Sequence, residues 1–263
     1  MHPVLFKIGE FNIGTYGVAL SIAFAVAIFL AYRRAKETGA NPERVFNLCI
    51  WVILGGILGA KLLLLLVDFG YYSRNPEALL SVWRLGGVWW GGPIVGALVA
   101  WLYTRHYRMG FLKSADILSP SMAIGVAIGR LGGCFMAGCC YGRPTSCSLG
   151  VVFTNEYSHR MFGTPLHIPI HPTQVYNSAA NLINFIILIL IYNKKKFNGQ
   201  IFLSYVMLYS VGRFITEFFR GDPRGSVSIL SWQPSTSQFI AVIAAAAAAI
   251  AYRLLRRMAM RST

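Results

Sequence analysis

Apolar residues gather into seven long runs, at about 14 to 32, 45 to 67, 88 to 104, 115 to 133, 175 to 192, 200 to 219 and 237 to 254. Each approaches the roughly 20 mostly apolar residues that an α-helix needs to cross a hydrocarbon core. Ahead of the first run, FKIGEFNIGTYG alternates apolar and polar positions and is expected to lie along the membrane interface rather than cross it. Between runs four and five, residues 134 to 172 form the longest polar connection, with Pro144, Pro165, Pro169 and Pro172 and the strand-like pieces LGVVF and PLHIPI. The pattern predicts an all-α integral membrane protein with seven transmembrane helices. Residues 1 to 263 form a single membrane domain, with residues 134 to 172 a small head inserted between spans four and five.

Composition agrees: 56% of the 263 residues are hydrophobic and 13% charged, well outside the usual soluble range. A formal net charge of +15 would suggest nucleic acid in a soluble chain. Its distribution excludes that partner. Of 24 Lys and Arg, fourteen follow runs one, three, five and seven, seven lie on the opposite side, and Lys61, Arg130 and Arg213 fall inside runs. This alternation follows the positive-inside rule and places the N-terminus outside, the C-terminus in the cytoplasm and the head outside the membrane. The first run has its basic residues after it and no cleavage site, so it is expected to stay in the mature protein rather than act as a secretory signal. Glycines four residues apart, such as Gly55 with Gly59 and Gly92 with Gly96, read as close helix contacts.

Ionisable groups at membrane depth mark sites, because each costs at least a few kcal/mol unless it faces a cavity or a partner. Here they are Lys61, Arg130, Arg213 and Glu217. In YSVGRFITEFFR, continuous helix would put Tyr209, Arg213, Glu217 and Arg220 on one face. Glu217 is the one carboxylate inside a run near these cations, so the arginines call for an anion. Guanidinium forks match phosphate, and a phospholipid head group is the anion already present in a bilayer. The plainer alternative is that the cations snorkel to the outer interface. In HIPIHPTQVY, His171, Thr173, Gln174 and Tyr176 serve either a ligand or the helix start, with Thr173 as N-cap. Cys134, Cys139, Cys140 and Cys147 leave three readings open: a disulfide closing the head loop, small packing residues, or a metal or reactive thiol. The spacing is no recognised zinc pattern, since adjacent Cys139 and Cys140 cannot easily ligate one tetrahedral ion.

GRLG...YGRPT at 129 to 145, HPTQVY at 171 to 176 and RFITEFFR at 213 to 220, in that order, together with TYG at 15 to 17 and GGVWWGG at 86 to 92, resemble the bacterial prolipoprotein diacylglyceryl transferases. The resemblance implies an enzyme of the bacterial plasma (inner) membrane with its site towards the outer leaflet. It would move the diacylglyceryl group of phosphatidylglycerol to the lipobox cysteine of preprolipoproteins, within their signal peptides, and would need no cofactor or metal. Carried over, Arg130 and Arg213 hold the phosphate, Glu217 and Arg220 complete the polar face, Tyr16 and Tyr209 line the head-group pocket, and His171 and Gln174 support it from outside. Lys61, Trp90 and Gly142 join the substrate-binding positions, and His171 and Tyr209 are the candidate bases. The family signature G-R-x-G-N-F-x-N-x-E-x-x-G is altered here: Gly129 to Gly142 is one residue longer, Gly133 and Cys134 stand where the first Asn falls, and Cys139 or Cys140 stands for the Glu. Trp90 occupies a place where the family can carry His. A transferase with a different acceptor, a lipid or anion transporter and a non-catalytic lipid-binding scaffold are the alternatives.

Overall fold

The computed structural model describes residues 2–9, 11–82, 87–88, 90–222, 225 and 233–261. Its elements are a hairpin of β1 (Val4–Ile8) and β2 (Phe11–Gly14), then α1 (Thr15–Glu37), α2 (Pro42–Val67), α3 (Phe69–Arg74), α4 (Gly91–His106) and α5 (Phe111–Ile128). After these come β3 (Val151–Val152), α6 (Glu156–Phe162), β4 (Pro169–Ile170), α7 (Thr173–Tyr192), α8 (Gln200–Glu217) and α9 (Thr236–Arg261). Every apolar run becomes a helix. Among the described residues, five are long and apolar enough to cross a membrane: α1, α2, α5 with its continuation to Phe135, α7 and α9. The expected interfacial segment before α1 is the β1–β2 hairpin, paired antiparallel from Val4 opposite Gly14 to Ile8 opposite Phe11.

The chain divides into two compact units, residues 31 to 114 and residues 1 to 30 with 115 to 263. In the first, α2 starts at Asn41, whose side chain accepts the Arg44 N–H at 3.1 Å, with Pro42 in the first turn where no amide donor is needed. α2 packs on α4 through glycines. A Cβ on Gly55 would stand 2.7 Å from Val99 Cγ2, and one on Gly59 would strike the Gly91 carbonyl oxygen and Val95 Cβ. The four-residue glycine spacing therefore sets how near these backbones lie.

In the second unit, Ala123, Leu188, Tyr192, Ile201 and Tyr205 join α5, α7 and α8, while Phe197, Leu203 and Ala248 join α8 to α9. α7 carries a polar stripe that the sequence reading did not single out: Thr173, Gln174, Asn177, Ser178, Asn181 and Asn184 are all buried. It is largely satisfied internally, for example by Ser178 Oγ donating to Ala127 O at 2.8 Å and Thr216 Oγ1 to Asn177 Oδ1 at 3.3 Å. Asp116 was also missed. Fully buried, its carboxylate accepts from Gly199 N at 2.8 Å and Phe202 N at 2.9 Å, and Lys195 Nζ lies 3.3 Å away, so it caps α8 from a distant element. Within residues 134 to 172, the expected strands are present as β3 and β4, with Val151 opposite Ile170, packed around Tyr141, Phe153 and Ile170.

Candidate active site

The apolar helix α5 changes pitch at its end. Residues Gly129–Phe135, GRLGGCF, form a π-helical stretch. Such stretches are rare and often sit at functional sites. Close to it, Gly133 lets Tyr16 approach, since a Cβ there would be 3.0 Å from the Tyr16 ring. From this stretch the half-buried Arg130 sends Nη1 to Cys140 Sγ at 3.4 Å and to Cys134 Sγ at 3.9 Å. Tyr16 from α1 and Tyr209 from α8 lie within electrostatic reach of the same guanidinium. Among the described residues no carboxylate pairs with Arg130.

Beyond the π turn, Cys139 to Thr145 acts as a hub. Gln174 Nε2 donates to Cys139 O at 2.8 Å and Thr173 Oγ1 to Cys140 O at 2.7 Å, fixing the start of α7 to this segment. On one side Gly142 pairs antiparallel with Arg220, with Arg143 N donating to Phe219 O at 2.9 Å and Gly221 N to Tyr141 O at 3.1 Å. On the other, His171 N donates to Arg143 O and Thr145 N to Pro169 O, both at 2.9 Å. Gly142 has no room for a side chain: a Cβ would lie 2.6 Å from His171 Cβ and 2.8 Å from Phe219 O. Thus three sequence-distant motifs, YGRPT, HPTQVY and RFITEFFR, are drawn together by isolated antiparallel bridges and backbone hydrogen bonds along this segment.

The charged groups are distributed as follows. Arg213 Nη1 pairs with Glu217 Oε2 at 2.6 Å, and its Nη2 donates to Ser237 Oγ at 3.0 Å. Arg220 forks onto Asp222, Nε to Oδ1 at 2.7 Å and Nη2 to Oδ2 at 2.6 Å, with its side chain only 3% exposed. Arg143 Nε donates to Arg220 O at 2.9 Å. The Sγ atoms of Cys134, Cys139 and Cys140 lie within 4.8 Å of one another. Hydrogen bonds from the Cys134 and Cys139 thiols, with Arg130 and Arg220 adding to them, hold the Cys140 thiol below its ordinary range. Its Sγ thus lies within the influence of two guanidinium groups.

A sequence profile of the prolipoprotein diacylglyceryl transferases matches residues 3–254. The chain belongs to this family. It is 41% identical over 242 residues to the phosphatidylglycerol–prolipoprotein diacylglyceryl transferase of Clostridium tetani (strain Massachusetts / E88), covering 92% of this chain and 93% of that protein. A second relative of that name, from Clostridium perfringens (strain 13 / Type A), is 34% identical over 92% and 91%. One from Geobacter sulfurreducens is 31% identical over 90% and 89%.

Within this diacylglyceryl transferase fold, Arg130, Tyr16, Gln174, Gly142 and His171 attach to the π turn or the hub, and Tyr209 lies within electrostatic reach of Arg130. Several expectations need correction. Arg220 does not share a helix face with Tyr209, Arg213 and Glu217: α8 ends at Glu217, and Arg220 lies in the isolated antiparallel bridge to Gly142, which replaces the next helical turn. Arg220, outside the apolar runs, takes its own carboxylate, Asp222. Burial and this fork also set aside generic snorkelling for Arg220. Thr173 is the first helical residue rather than the N-cap, and its hydroxyl serves Cys140 O. Lys61 and Trp90 belong to the other unit, where Lys61 Nζ donates to Val82 O at 2.8 Å and Trp90 precedes α4. His171 Nδ1 meets Tyr176 OH at 3.1 Å, and its ring lies edge-on to Phe219 at 5.1 Å. The cysteines are free thiols, so the disulfide reading has no counterpart here.

Proposed function

We propose that this chain transfers the diacylglyceryl group of phosphatidylglycerol to the lipobox cysteine of a preprolipoprotein, releasing glycerol phosphate. The names of its relatives state that donor and that class of acceptor. The observation that carries the reading locally is Arg130: a guanidinium at the end of an apolar helix, bonded to cysteine sulfur rather than to a carboxylate. A phosphate is a better acceptor for its fork than sulfur.

In the proposed reaction the acceptor sulfur forms a bond to the glycerol carbon of the diacylglyceryl group, and the bond from that carbon to the phosphate oxygen breaks. The electron pair leaves with glycerol phosphate, and the thiol proton passes to a base. Arg130 stabilises charge on the departing phosphate, supported by Arg213, whose own position is set by Glu217 and Ser237. Tyr16 and Tyr209 line the head-group side, and Gly142, Gln174 and Arg220 shape the hub. His171 and Tyr209 are the candidate bases. The acceptor thiol is a competent nucleophile only as thiolate.

The reading extends to topology: seven spans in the bacterial inner membrane, N-terminus outside, C-terminus cytoplasmic, residues 134 to 172 as the extracytoplasmic head, and the site open to the outer leaflet. The alternating Lys and Arg distribution supports it. The test is intact-mass analysis of a lipobox peptide incubated with purified protein and phosphatidylglycerol. A diacylglyceryl mass gain is expected with the cysteine peptide, not with its serine analogue, and not with Arg130→Ala. Release of glycerol phosphate without a modified peptide would point instead to another acceptor. Lipid movement in vesicles with no covalent product would point to a transporter.

A further inference from the structure

We propose that Cys134, Cys139 and Cys140 form a three-thiolate site for a soft divalent metal ion of the zinc and cadmium class, with Arg130 as its counter-charge. This goes beyond the transferase reading and does not depend on it. Three features of the structure support it.

The first is size. Zinc binds thiolate at about 2.3 Å, so three sulfurs around one ion stand about 4 Å apart. The three Sγ atoms already lie within 4.8 Å of one another, and only a fraction of an ångström of closure is needed. The second is backbone conformation. Neighbouring cysteines in an extended strand point to opposite faces, which argued against joint ligation from spacing alone. Cys140, however, has φ 61°, in the left-handed region that a non-glycine residue rarely occupies, and Gly138, just before Cys139, has φ 82°. The chain therefore doubles back, and Cys139 and Cys140 present sulfur to the same place as Cys134 at the end of the π turn. The third is charge. Three thiolates and a divalent ion leave one net negative charge, and Arg130 Nη1 already reaches two of the sulfurs, at 3.4 and 3.9 Å. A guanidinium so placed favours the deprotonated ligands and orients them, as outer partners of metal sites do. With three protein ligands, the fourth coordination position is left to water or another small donor.

The experiment uses the full-length protein, reduced and freed of metal in detergent, titrated with Cd²⁺ and separately with Zn²⁺. We expect one ion per chain, an ultraviolet thiolate-to-cadmium charge-transfer band, and an X-ray absorption shell with three sulfurs. Saturating Cd²⁺ should protect Cys134, Cys139 and Cys140 from alkylation while exposed Cys147 remains labelled, an internal control that needs no variant. Cys134→Ser, Cys139→Ser and Cys140→Ser should each abolish stoichiometric uptake, Cys49→Ser and Cys147→Ser should leave it intact, and Arg130→Gln should weaken it about 10- to 100-fold. An oxygen and nitrogen shell, unprotected alkylation of the three thiols at saturating Cd²⁺, or no uptake by fully reduced wild-type protein would each overturn the assignment.

Discussion

A guanidinium stays charged even near lipid, so burying it is costly unless its donors find acceptors. At Arg130 the partners in hand are sulfurs reached by a single guanidinium nitrogen, so its fork remains able to take a substrate phosphate. Arg130→Ala is expected to lower kcat/KM for a lipobox peptide by about 100- to 1,000-fold, the usual loss when one transition-state donor is removed. Arg130→Lys should recover only a minor part, because a point charge cannot fork onto phosphate; full recovery would mean that charge alone suffices. Asp222→Asn has a different consequence. It leaves Arg220, 3% exposed, without its charge partner, and should cost about 3 kcal/mol in a thermal unfolding measurement of the detergent-solubilised protein. Arg130, Arg213 and Glu217 were legible in the sequence as charges within apolar runs. Asp222 was not, because helical periodicity extended through Arg220 hides the bridge to Gly142 that actually positions that residue.

Among the elements, the segment from Cys139 to Thr145 organises the site, and Gly142 is its tightest point. Gly142→Ala places a methyl group against His171 and the Phe219 carbonyl. We expect it to destabilise the protein by about 1 to 3 kcal/mol and to lower activity further by displacing His171 and Arg220; an active, equally stable Gly142→Ala would show that the strands separate freely. Asp116→Ala should lower the unfolding temperature more than Asp116→Asn, since asparagine still offers an acceptor to the amides of Gly199 and Phe202. Equal losses would assign the effect to the Lys195 ion pair instead. The glycines of α2 and α4 were readable in advance, because four-residue spacing places small residues on one helix face. The π turn was not: its signal, three glycines in GRLGGCF, is equally compatible with an ordinary helix end.

For the whole molecule, orientation in the membrane is the measurable property. Cys147 is exposed and follows the hub in chain order. In intact cells it is expected to react with a membrane-impermeant maleimide, whereas cysteines introduced beside Arg256 and Arg257 should react only after permeabilisation. The reverse pattern would invert the proposed topology. What the sequence alone determined was the class of molecule, the apolar runs that become helices, the glycine contacts of α2 and α4 and the odd charges within the runs. These follow from hydrophobicity and charge, which accumulate residue by residue and need no knowledge of neighbours. Only the tertiary structure decided who pairs with whom: Gly142 with Arg220, Asp116 with the start of α8, Arg130 with two cysteines, and three sulfurs with one another. Such pairings satisfy buried donors and acceptors as a set, so they are settled when distant segments meet and leave little trace in any one of them.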